Sequence, residues 1–235
     1  MTAGRRPQDL DEELLAAELP SVVSEITDEQ RVARMRDELA AGFEAMADVG
    51  RAVAVFGSAR TPEGHPNYDV ARRIGRELGA AGFTVITGGG PGAMEGAARG
   101  AQEAGARSVG LTIDLPFAEP VSSYLDRRVD FHYFFARKVM FVRYSSAFVV
   151  LPGGYGTLDE LFESLTLIQT GKIRYFPVIL VGTDFWCGLV DWLRDRLLAA
   201  GTISEQDLDL LRVTDSPSEA VAACVAAADK QWSRG

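Results

Sequence analysis

A glycine-rich turn and a glutamate lie close together in the segment 148–163, directly after a short apolar run. Gly153, Gly154 and Gly156 can adopt positive φ and carry no Cβ, so several backbone N–H groups can converge there on one anion. The helix predicted to follow favours the same ligand, because its first turn carries a partial positive charge. Glu160, one turn into that helix, could reach the sugar of a bound nucleotide. The segment therefore predicts a phosphate site with a carboxylate beside it.

Glu160 has a structural interpretation as well. Thr157 and Glu160 have the spacing of a capping box, in which each side chain satisfies a backbone donor at the start of a helix. In that arrangement the glutamate stabilises the helix and takes no part in chemistry. The spacing itself favours this interpretation, whereas the adjoining phosphate loop favours catalysis, and both remain open.

A second glycine loop, Gly88–Gly92, also follows a predicted strand and precedes a helix. It has neither the Gly-x-Gly-x-x-Gly spacing of dinucleotide-binding folds nor the Gly-Lys-Ser/Thr ending of an NTPase phosphate loop, which disfavours redox and NTPase functions. Two such loops in one sheet predict a single elongated ligand, contacted by Gly89, Gly90 and Glu95. Glu95 could instead only stabilise the start of its helix.

Two further pairs of polar residues are predicted to lie near these loops. Ser58 and Arg60 follow the first predicted strand, and ligands of open parallel sheets gather at such strand ends. They could contact a phosphate or a ribose, or simply form the turn. Arg137 and Lys138 lie on a predicted helix that ends just before the strand of the phosphate loop. One of these side chains could return over the pocket, with a solvated basic face as the alternative.

Three ordered motifs resemble those of the LOG family, the cytokinin riboside 5′-monophosphate phosphoribohydrolases. They are Pro152–Glu160, which matches Pro-Gly-Gly-x-Gly-Thr-x-x-Glu, the loop Gly88–Gly92, and the segment Arg137-Lys138-x-Met140. The resemblance covers residues 50–230. It implies hydrolysis of the N-glycosidic bond of a purine nucleoside 5′-monophosphate without a metal or an organic cofactor, with AMP and N6-prenylated AMP as candidate substrates.

The resemblance also implies roles for individual residues. Glu160 would stabilise positive charge on the ribose and orient or deprotonate water, and Arg137 would hold Glu160 or assist departure of the base. Ser58 is favoured as a further substrate contact, and Lys138 is a weaker one. The residues expected to anchor the phosphate are Gly153, Gly154, Tyr155, Gly156 and Thr157.

The sequence departs from the plant-type members of this family in two places. Its second loop reads Gly-Gly-Gly-Pro-Gly-Ala-Met-Glu where the plant pattern runs Gly-Gly-Gly-Ser-x-Gly-Leu-Met, and it carries an additional N-terminal extension. Both features resemble the bacterial type II branch. They leave open which base the enzyme prefers. They also imply a homo-oligomer, which could be a dimer or a larger assembly up to a hexamer, with the helix at 28–48 as a candidate interface.

Two other functions are weighed against hydrolysis. Members of this family have often been labelled lysine decarboxylases, and that chemistry needs pyridoxal phosphate on a lysine with a partner for the pyridine nitrogen. Lys138 is available, but the supporting pattern is absent. The remaining alternative is a carrier that binds a nucleotide or a phosphorylated cofactor without turnover.

The order of apolar runs, glycine turns and amphipathic stretches predicts an α/β fold, a Rossmann-like three-layer sandwich with a mainly parallel sheet. We expect a helical N-terminal extension over residues 1–49 and a nucleotide-binding catalytic domain over residues 50–235. Within an N-terminal arm, 1–26, the acidic segment Asp9–Glu18 could form a short docked helix or remain mobile. Strands are predicted at 51–56, 83–87, 108–113, 147–151, 176–181 and near 213, and helices at 27–49, 67–81, up to 104, at 135–144, after the phosphate loop, and at 184–200 and 217–229.

Two segments carry more specific expectations. The first long helix has an apolar stripe, for which packing on the domain is favoured over a subunit contact. The segment 114–134 interrupts the α/β pattern with prolines and aromatics, and we expect it to overlie the site. The stripe consists of Val32, Met35, Leu39, Phe43 and Met46.

The composition bounds the partners. A net charge of −9 and a pI near 4.8 disfavour binding to nucleic acid or to an anionic membrane. Cys187 and Cys224 make neither a disulfide framework nor a metal site, and His65 and His132 lack companion ligands for zinc. The N-terminus has no signal pattern and no apolar run approaches the roughly 20 residues that span a bilayer. We therefore expect a cytoplasmic protein.

Overall fold

The protein was analysed as a computed structural model that describes residues 6–15, 26–116, 120–174 and 176–233. Within these ranges a single sheet of seven parallel strands has the order β4-β3-β2-β1-β5-β6-β7. Its order reverses between β1 and β5, so the loops that follow these two strands open into one crevice. The strands are β1 Ala52–Phe56, β2 Thr84–Thr87, β3 Ser108–Ile113, β4 Arg127–Phe131, β5 Phe148–Val150, β6 Val178–Val181 and β7 Leu211–Thr214.

Helices cover both faces of the sheet, so the predicted three-layer α/β sandwich is confirmed. Alternation along β1 shows how the layers form, because successive side chains of a strand point to opposite faces. Val53 and Val55 join the core on one face, and Ala54 and Phe56 join the core on the other. The helices are α1 Leu10–Leu15, α2 Asp28–Met46, α3 Pro66–Ala80, α4 Ala93–Glu103, α5 Phe134–Tyr144, α6 Tyr155–Gln169, α7 Thr183–Trp192, α8 Glu205–Leu208 and α9 Pro217–Trp232, with a π-helical stretch Leu193–Leu198 after α7.

Helix α2 begins as predicted and packs on the domain. Its N-cap Thr27 and Gln30 form a capping box, and the helix lies against α5. Met35, Leu39 and Met46 of the apolar stripe contact the core. The other two members of the stripe, Val32 and Phe43, are 63% and 37% exposed.

Helix α1 lies within the predicted acidic segment Asp9–Glu18 and packs Leu10 and Leu14 against the same core. The rest of the predicted arm is only partly covered, because residues 1–5 and 16–25 lie outside the described residues. None of the helices in the described ranges has the length and hydropathy needed to cross a membrane.

The segment 114–134 contains an edge strand, β4, that the sequence does not predict. This strand pairs with β3 over its whole length. Val129 and Phe131 are buried while Arg128 and Asp130 are exposed. This alternation of period two is the signal that identifies a strand, but it extends over only five residues.

The predicted helix 184–200 is also different in the structure. It is divided into α7 and the π-helical stretch Leu193–Leu198. Trp186 and Leu193 are buried in the core, whereas Trp192 is 51% exposed. The apolar residues of α7 occupy more of its circumference than the face that packs on the core, so Trp192 lies on the outer side of the helix.

Candidate active site

Two neighbouring cavities open at the carboxyl ends of the central strands. The central cavity, about 640 Å³, is lined by 57–60 after β1 and 154–160 at the start of α6. The lateral cavity, about 590 Å³, is lined by 88–90 after β2, by the ends of β3 and β4, and by parts of the 114–121 segment. Arg137 and Met94 line both cavities. A ligand that extends from one cavity to the other would therefore pass these two side chains.

Helix α6 begins at Tyr155, three residues earlier than a capping box at Thr157 requires, and its N-cap Gly154 provides no side-chain cap. The predicted box between Thr157 and Glu160 is therefore wrong, because Thr157 already lies inside the first turn. Tyr155 is 92% exposed, and nothing lies within 4 Å of a Cβ placed on Gly154 or Gly156. The start of α6 thus borders open space and has no side-chain cap on its first N–H groups, as an anion site requires.

Gly153 has a different role from the other loop glycines, because a Cβ there would overlap the Thr157 side chain. This close approach buries Thr157, whose N–H donates to the Gly154 carbonyl at 3.0 Å. Gly153 itself does not line the central cavity. It shapes the turn, whereas Gly154 to Thr157 form the cavity wall.

Glu160 lies at the base of the central cavity with only 7% of its surface exposed. Its Oε2 atom is buried and has no hydrogen-bond partner among the described residues. Burial raises the pKa of Glu160 to about 7, against the opposing effect of the Lys138 and Arg137 cations. The side chain is therefore a carboxyl group that changes charge near neutral pH and has one oxygen available to a ligand.

Lys138 is held by a cluster of carboxylates. Its Nζ lies 2.7 Å from Glu163 Oε2, 2.9 Å from Asp159 Oδ2 and 3.9 Å from Glu160 Oε1. Burial lowers the pKa of Lys138, but the hydrogen bonds to Glu163 and Asp159 outweigh it, so the pKa lies above its ordinary value. Lys138 borders an outer groove with Phe162 and lines neither cavity. The structure thus places it beside Glu160 rather than on the ligand side.

Arg137, one residue earlier on α5, projects toward the ligand side. Its guanidinium carbon lies 5.2 Å from the centre of the Phe141 ring. A Cβ on Gly88 would lie 2.6 Å from Arg137 Nη2 and 2.8 Å from Met94 Sδ. The absence of a side chain at Gly88 therefore leaves the space that the guanidinium occupies between the two cavities.

The second glycine loop is a tight turn. Gly89 has φ of 75°, and a Cβ there would lie 2.7 Å from Thr112 Cγ2. Gly89 and Gly90 line the lateral cavity, as predicted for ligand contacts. Glu95 lines neither cavity, and its Oε1 accepts a hydrogen bond from the Tyr68 hydroxyl at 3.0 Å. Glu95 also lies in the first turn of α4, where a carboxylate is stabilised by the helix dipole.

Ser58 and Arg60 line the central cavity, and Ser58 also forms the turn. Its Oγ accepts the Arg60 N–H at 3.0 Å, and its carbonyl accepts the Ala93 N–H at 3.1 Å. Gly92 permits this contact between loops, because a Cβ there would overlap the Ser58 carbonyl. The two strand-end loops are therefore fixed to each other.

The structure adds contacts that the sequence does not predict. Glu38 of α2 lies beside His132, and its Oε2 is 2.8 Å from His132 Nδ1. The sequence shows no carboxylate paired with this histidine, because the two residues are separated by 94 positions. His132 lines the lateral cavity. His65 is the N-cap of α3 and accepts the Asn67 N–H at 3.1 Å.

Within the described ranges, no three histidine, cysteine or carboxylate side chains converge closely enough to hold a metal ion.

Comparison with known proteins places this geometry among nucleotide-processing enzymes. The model of a family described as possible lysine decarboxylase matches residues 94–224. A cytokinin riboside 5′-monophosphate phosphoribohydrolase of Mycobacterium tuberculosis is 33% identical over 177 residues, which are 73% of this chain and 92% of the relative. A relative from Oryza sativa subsp. japonica, named as a probable enzyme of the same kind, is 30% identical and covers 85% of this chain and 88% of its own.

A relative that matches over a shorter stretch is the pyrimidine/purine nucleotide 5′-monophosphate nucleosidase of Escherichia coli K12. It is 33% identical over 125 residues, which are 49% of this chain and 28% of the relative. Among solved structures, a molybdenum cofactor carrier protein of Chlamydomonas has a TM-score of 0.55 at 25% identity, covering 76% of this chain and 97% of that one. The molybdenum cofactor binding protein of Rippkaea orientalis has a TM-score of 0.52 at 22% identity, covering 73% and 92%.

Proposed function

We propose, on the premise that the chain belongs to the LOG family, that it hydrolyses the N-glycosidic bond of AMP or N6-modified AMP to free base and ribose 5-phosphate. The observation that carries this proposal is the position of Glu160. A buried carboxyl group with a pKa of about 7 and one available oxygen lies in the same cavity as an uncapped helix start. This arrangement suits a substrate that has a phosphate at one end and a reacting sugar a few ångströms away.

The phosphate would bind at the start of α6. Its oxygens would accept hydrogen bonds from the exposed N–H groups of Gly154 to Gly156 and from the Thr157 hydroxyl, and the helix dipole adds to the attraction. Ser58 and Arg60 line the opposite wall. This placement brings the ribose toward Glu160.

Hydrolysis would then proceed by loss of the base and attack of water on C1′. The C1′–N bond breaks with its electron pair moving to the base, and positive charge develops on the ribose ring. The Glu160 carboxylate stabilises that charge and accepts a proton from the water whose oxygen bonds to C1′. The proton that leaves water finally resides on the departed base. Arg137, which lines both cavities, would stabilise the electron pair of the leaving base and hold Glu160 in its ionised form.

Pyridoxal phosphate chemistry does not fit the residues. A Schiff base forms on a neutral amine, and the lysines that carry one have lowered pKa values. Lys138 is the lysine beside the site, and its pKa is raised because Glu163 and Asp159 hold the ammonium form.

The experiment that tests hydrolysis is incubation of the purified chain with AMP and with N6-isopentenyl-AMP, followed by quantification of free base and ribose 5-phosphate. Glu160→Gln keeps the size of the side chain but removes its charge, so we expect a loss of about 10²–10³-fold in kcat. Glu44→Gln is the matched control, because Glu44 is exposed on α2. Equal release by the wild type and Glu160→Gln would contradict the assignment.

A carrier without turnover is the second candidate. The observation that favours it is the likeness in fold to molybdenum cofactor carrier proteins. Tight binding of a nucleotide with no release of base from either substrate would support the carrier and exclude the hydrolase.

We further propose that the protein is a cytoplasmic homo-oligomer that associates through α2. Val32 and Phe43 support this interface, because they are the members of the α2 stripe that the domain leaves exposed. Both cysteines are unpaired, Cys187 at the surface and Cys224 in the core, which suits a reducing compartment.

A further inference from the structure

Helix α5, which carries Arg137, has its first turn held by side chains from the N-terminal helices. Glu38 Oε1 accepts the N–H of Tyr133 at 2.9 Å and that of His132 at 3.1 Å. Glu38 Oε2 accepts the backbone N–H of His132 at 3.1 Å and lies 2.8 Å from the ring atom His132 Nδ1. Asp11 Oδ2 of α1 accepts the N–H of Phe134 at 3.2 Å. Three consecutive backbone donors therefore bond to carboxylates from α1 and α2.

These bonds replace a local cap. The N-cap of α5 is Tyr133, whose side chain makes no capping hydrogen bond, and the first turn of α5 contains no acidic residue. A helix start has orphan N–H groups and a partial positive charge, both of which a carboxylate satisfies. Glu38 provides this from another element, with a side chain only 10% exposed. The bond to the Tyr133 N–H is part-buried, because Tyr133 is itself a core residue.

The rest of α2 fixes Glu38 in place. At the end of α2, Arg127 of β4 donates to the Ala45 carbonyl and to Asp48, both at 2.5 Å. In the middle, a Cβ on Gly42 would lie 2.8 Å from Met140 Cε, so α2 packs very closely on α5. Glu38 is thus positioned by a rigid helix and not by a mobile loop.

A continuous set of bonds runs from Glu38 to Arg137. The Tyr133 peptide donates its N–H to Glu38, and the Tyr133 carbonyl accepts the Arg137 N–H at 3.2 Å. We propose that Glu38 is a positioning residue for the reaction, which holds the turn 132–134 and thereby sets the place of Arg137 between the two cavities. This inference rests on the proposed function, since it assigns Arg137 a part in hydrolysis.

The test is Glu38→Gln, which keeps the side-chain size. It replaces one of the two acceptor oxygens with an NH₂ donor, which cannot accept the backbone N–H of His132. We expect faster amide hydrogen exchange across 132–137 and a fall in kcat of about 10- to 100-fold, because small displacements of a catalytic group are costly. Binding of ribose 5-phosphate is expected to stay unchanged, because the phosphate site lies on α6. Glu44→Gln, on the same helix, is the control and should alter none of these quantities.

A double-mutant comparison separates positioning from general stability. In an Arg137→Lys background, Glu38→Gln should cost little further activity, because the group that it positions is already altered. An equal loss of kcat in both backgrounds, or unchanged exchange at 132–137, would overturn the proposal. If Glu38→Gln does not fold, Asp11→Ala removes the single hydrogen bond to the Phe134 N–H and should give a smaller effect of the same kind; unchanged exchange there would equally overturn the proposal.

The exchange measurement keeps the two hypotheses apart. Absence of base release by the wild type would refute hydrolysis. Faster exchange at 132–137 in Glu38→Gln would still establish that α2 holds the start of α5.

Discussion

Lys138 interacts with Glu160 electrostatically but does not form a hydrogen bond with it. The Nζ atom lies 3.9 Å from Glu160 Oε1, beyond hydrogen-bond distance, and is closer to Asp159 and Glu163. The cation therefore opposes the effect of burial on the pKa of Glu160 but leaves the carboxylate available to water and ribose. The unpartnered Oε2 atom is the other oxygen of the same carboxylate, so the lysine charge acts on Glu160 from the side that faces away from the ligand.

The pH dependence of hydrolysis follows from this environment. The active form of Glu160 is the carboxylate, so kcat/KM should decrease as the pH falls through the Glu160 pKa of about 7. Lys138→Met removes a cation that lowers this pKa, so the decline should begin at a higher pH than in the wild type. Rate profiles across the neutral range measure the shift.

Lys172→Met is the control for this shift, because Lys172 is exposed and lines none of the site cavities. Coincident pH profiles for the wild type and Lys138→Met would show that the lysine does not act on Glu160. A uniform loss of activity at every pH would indicate damage to packing instead.

At the scale of elements, the contact between α3 and α4 is set by glycines. A Cβ on Gly75 would overlap the carbonyl oxygen of Ala97, and a Cβ on Gly100 would overlap the carbonyl oxygen of Arg72. The two backbones are therefore nearly in contact. Helix α4 begins directly after the second glycine loop, so this packing also fixes the wall of the lateral cavity.

We expect Gly75→Ala to lower the free energy of unfolding by about 2 kcal/mol or more, because backbone atoms of α4 must move to make room. Gly188→Ala is the matched change on α7, where nothing lies within 4 Å of the added Cβ. It should raise stability by about 0.5–1 kcal/mol through helix propensity. Chemical denaturation of both variants measures the contrast, and equal stabilities would contradict it.

The elements differ in how far they can be predicted from sequence. β1, β5 and β6 are apolar runs ended by glycine or proline, and such strands in a parallel sheet are recognisable. β4 is missed because its alternation covers five residues. Thr157 and Glu160 fit a capping box in spacing, and only the position at which α6 begins rules it out. The cap that Glu38 provides to α5 depends on tertiary structure, so no local pattern indicates it.

At the scale of the whole molecule, the predicted assembly can be tested on α2 without removing it. Deletion of α2 would expose the core around Met46 and release the start of α5, so an effect on mass would be hard to interpret. Val32→Glu introduces one charge at a side chain that is 63% exposed. If α2 forms the interface, the molar mass from light scattering should fall toward that of a single chain.

Val213→Glu is the control for that measurement, since it makes the same change at an exposed valine on β7, at the other side of the sheet. It should leave the mass unchanged. A wild type that is already a single chain would refute the assembly itself.

The two outermost strands of the sheet also bear on behaviour at high concentration. β4 carries Arg127, Arg128 and Asp130, and β7 carries Arg212. An unpaired strand rim is a template for amyloid-like growth, and charges along it oppose the approach of a second strand. The charged side chains on both edge strands thus protect their unpaired N–H and C=O groups from a second strand and disfavour aggregation by strand addition. Helical surfaces are therefore the favoured route by which copies of this protein associate.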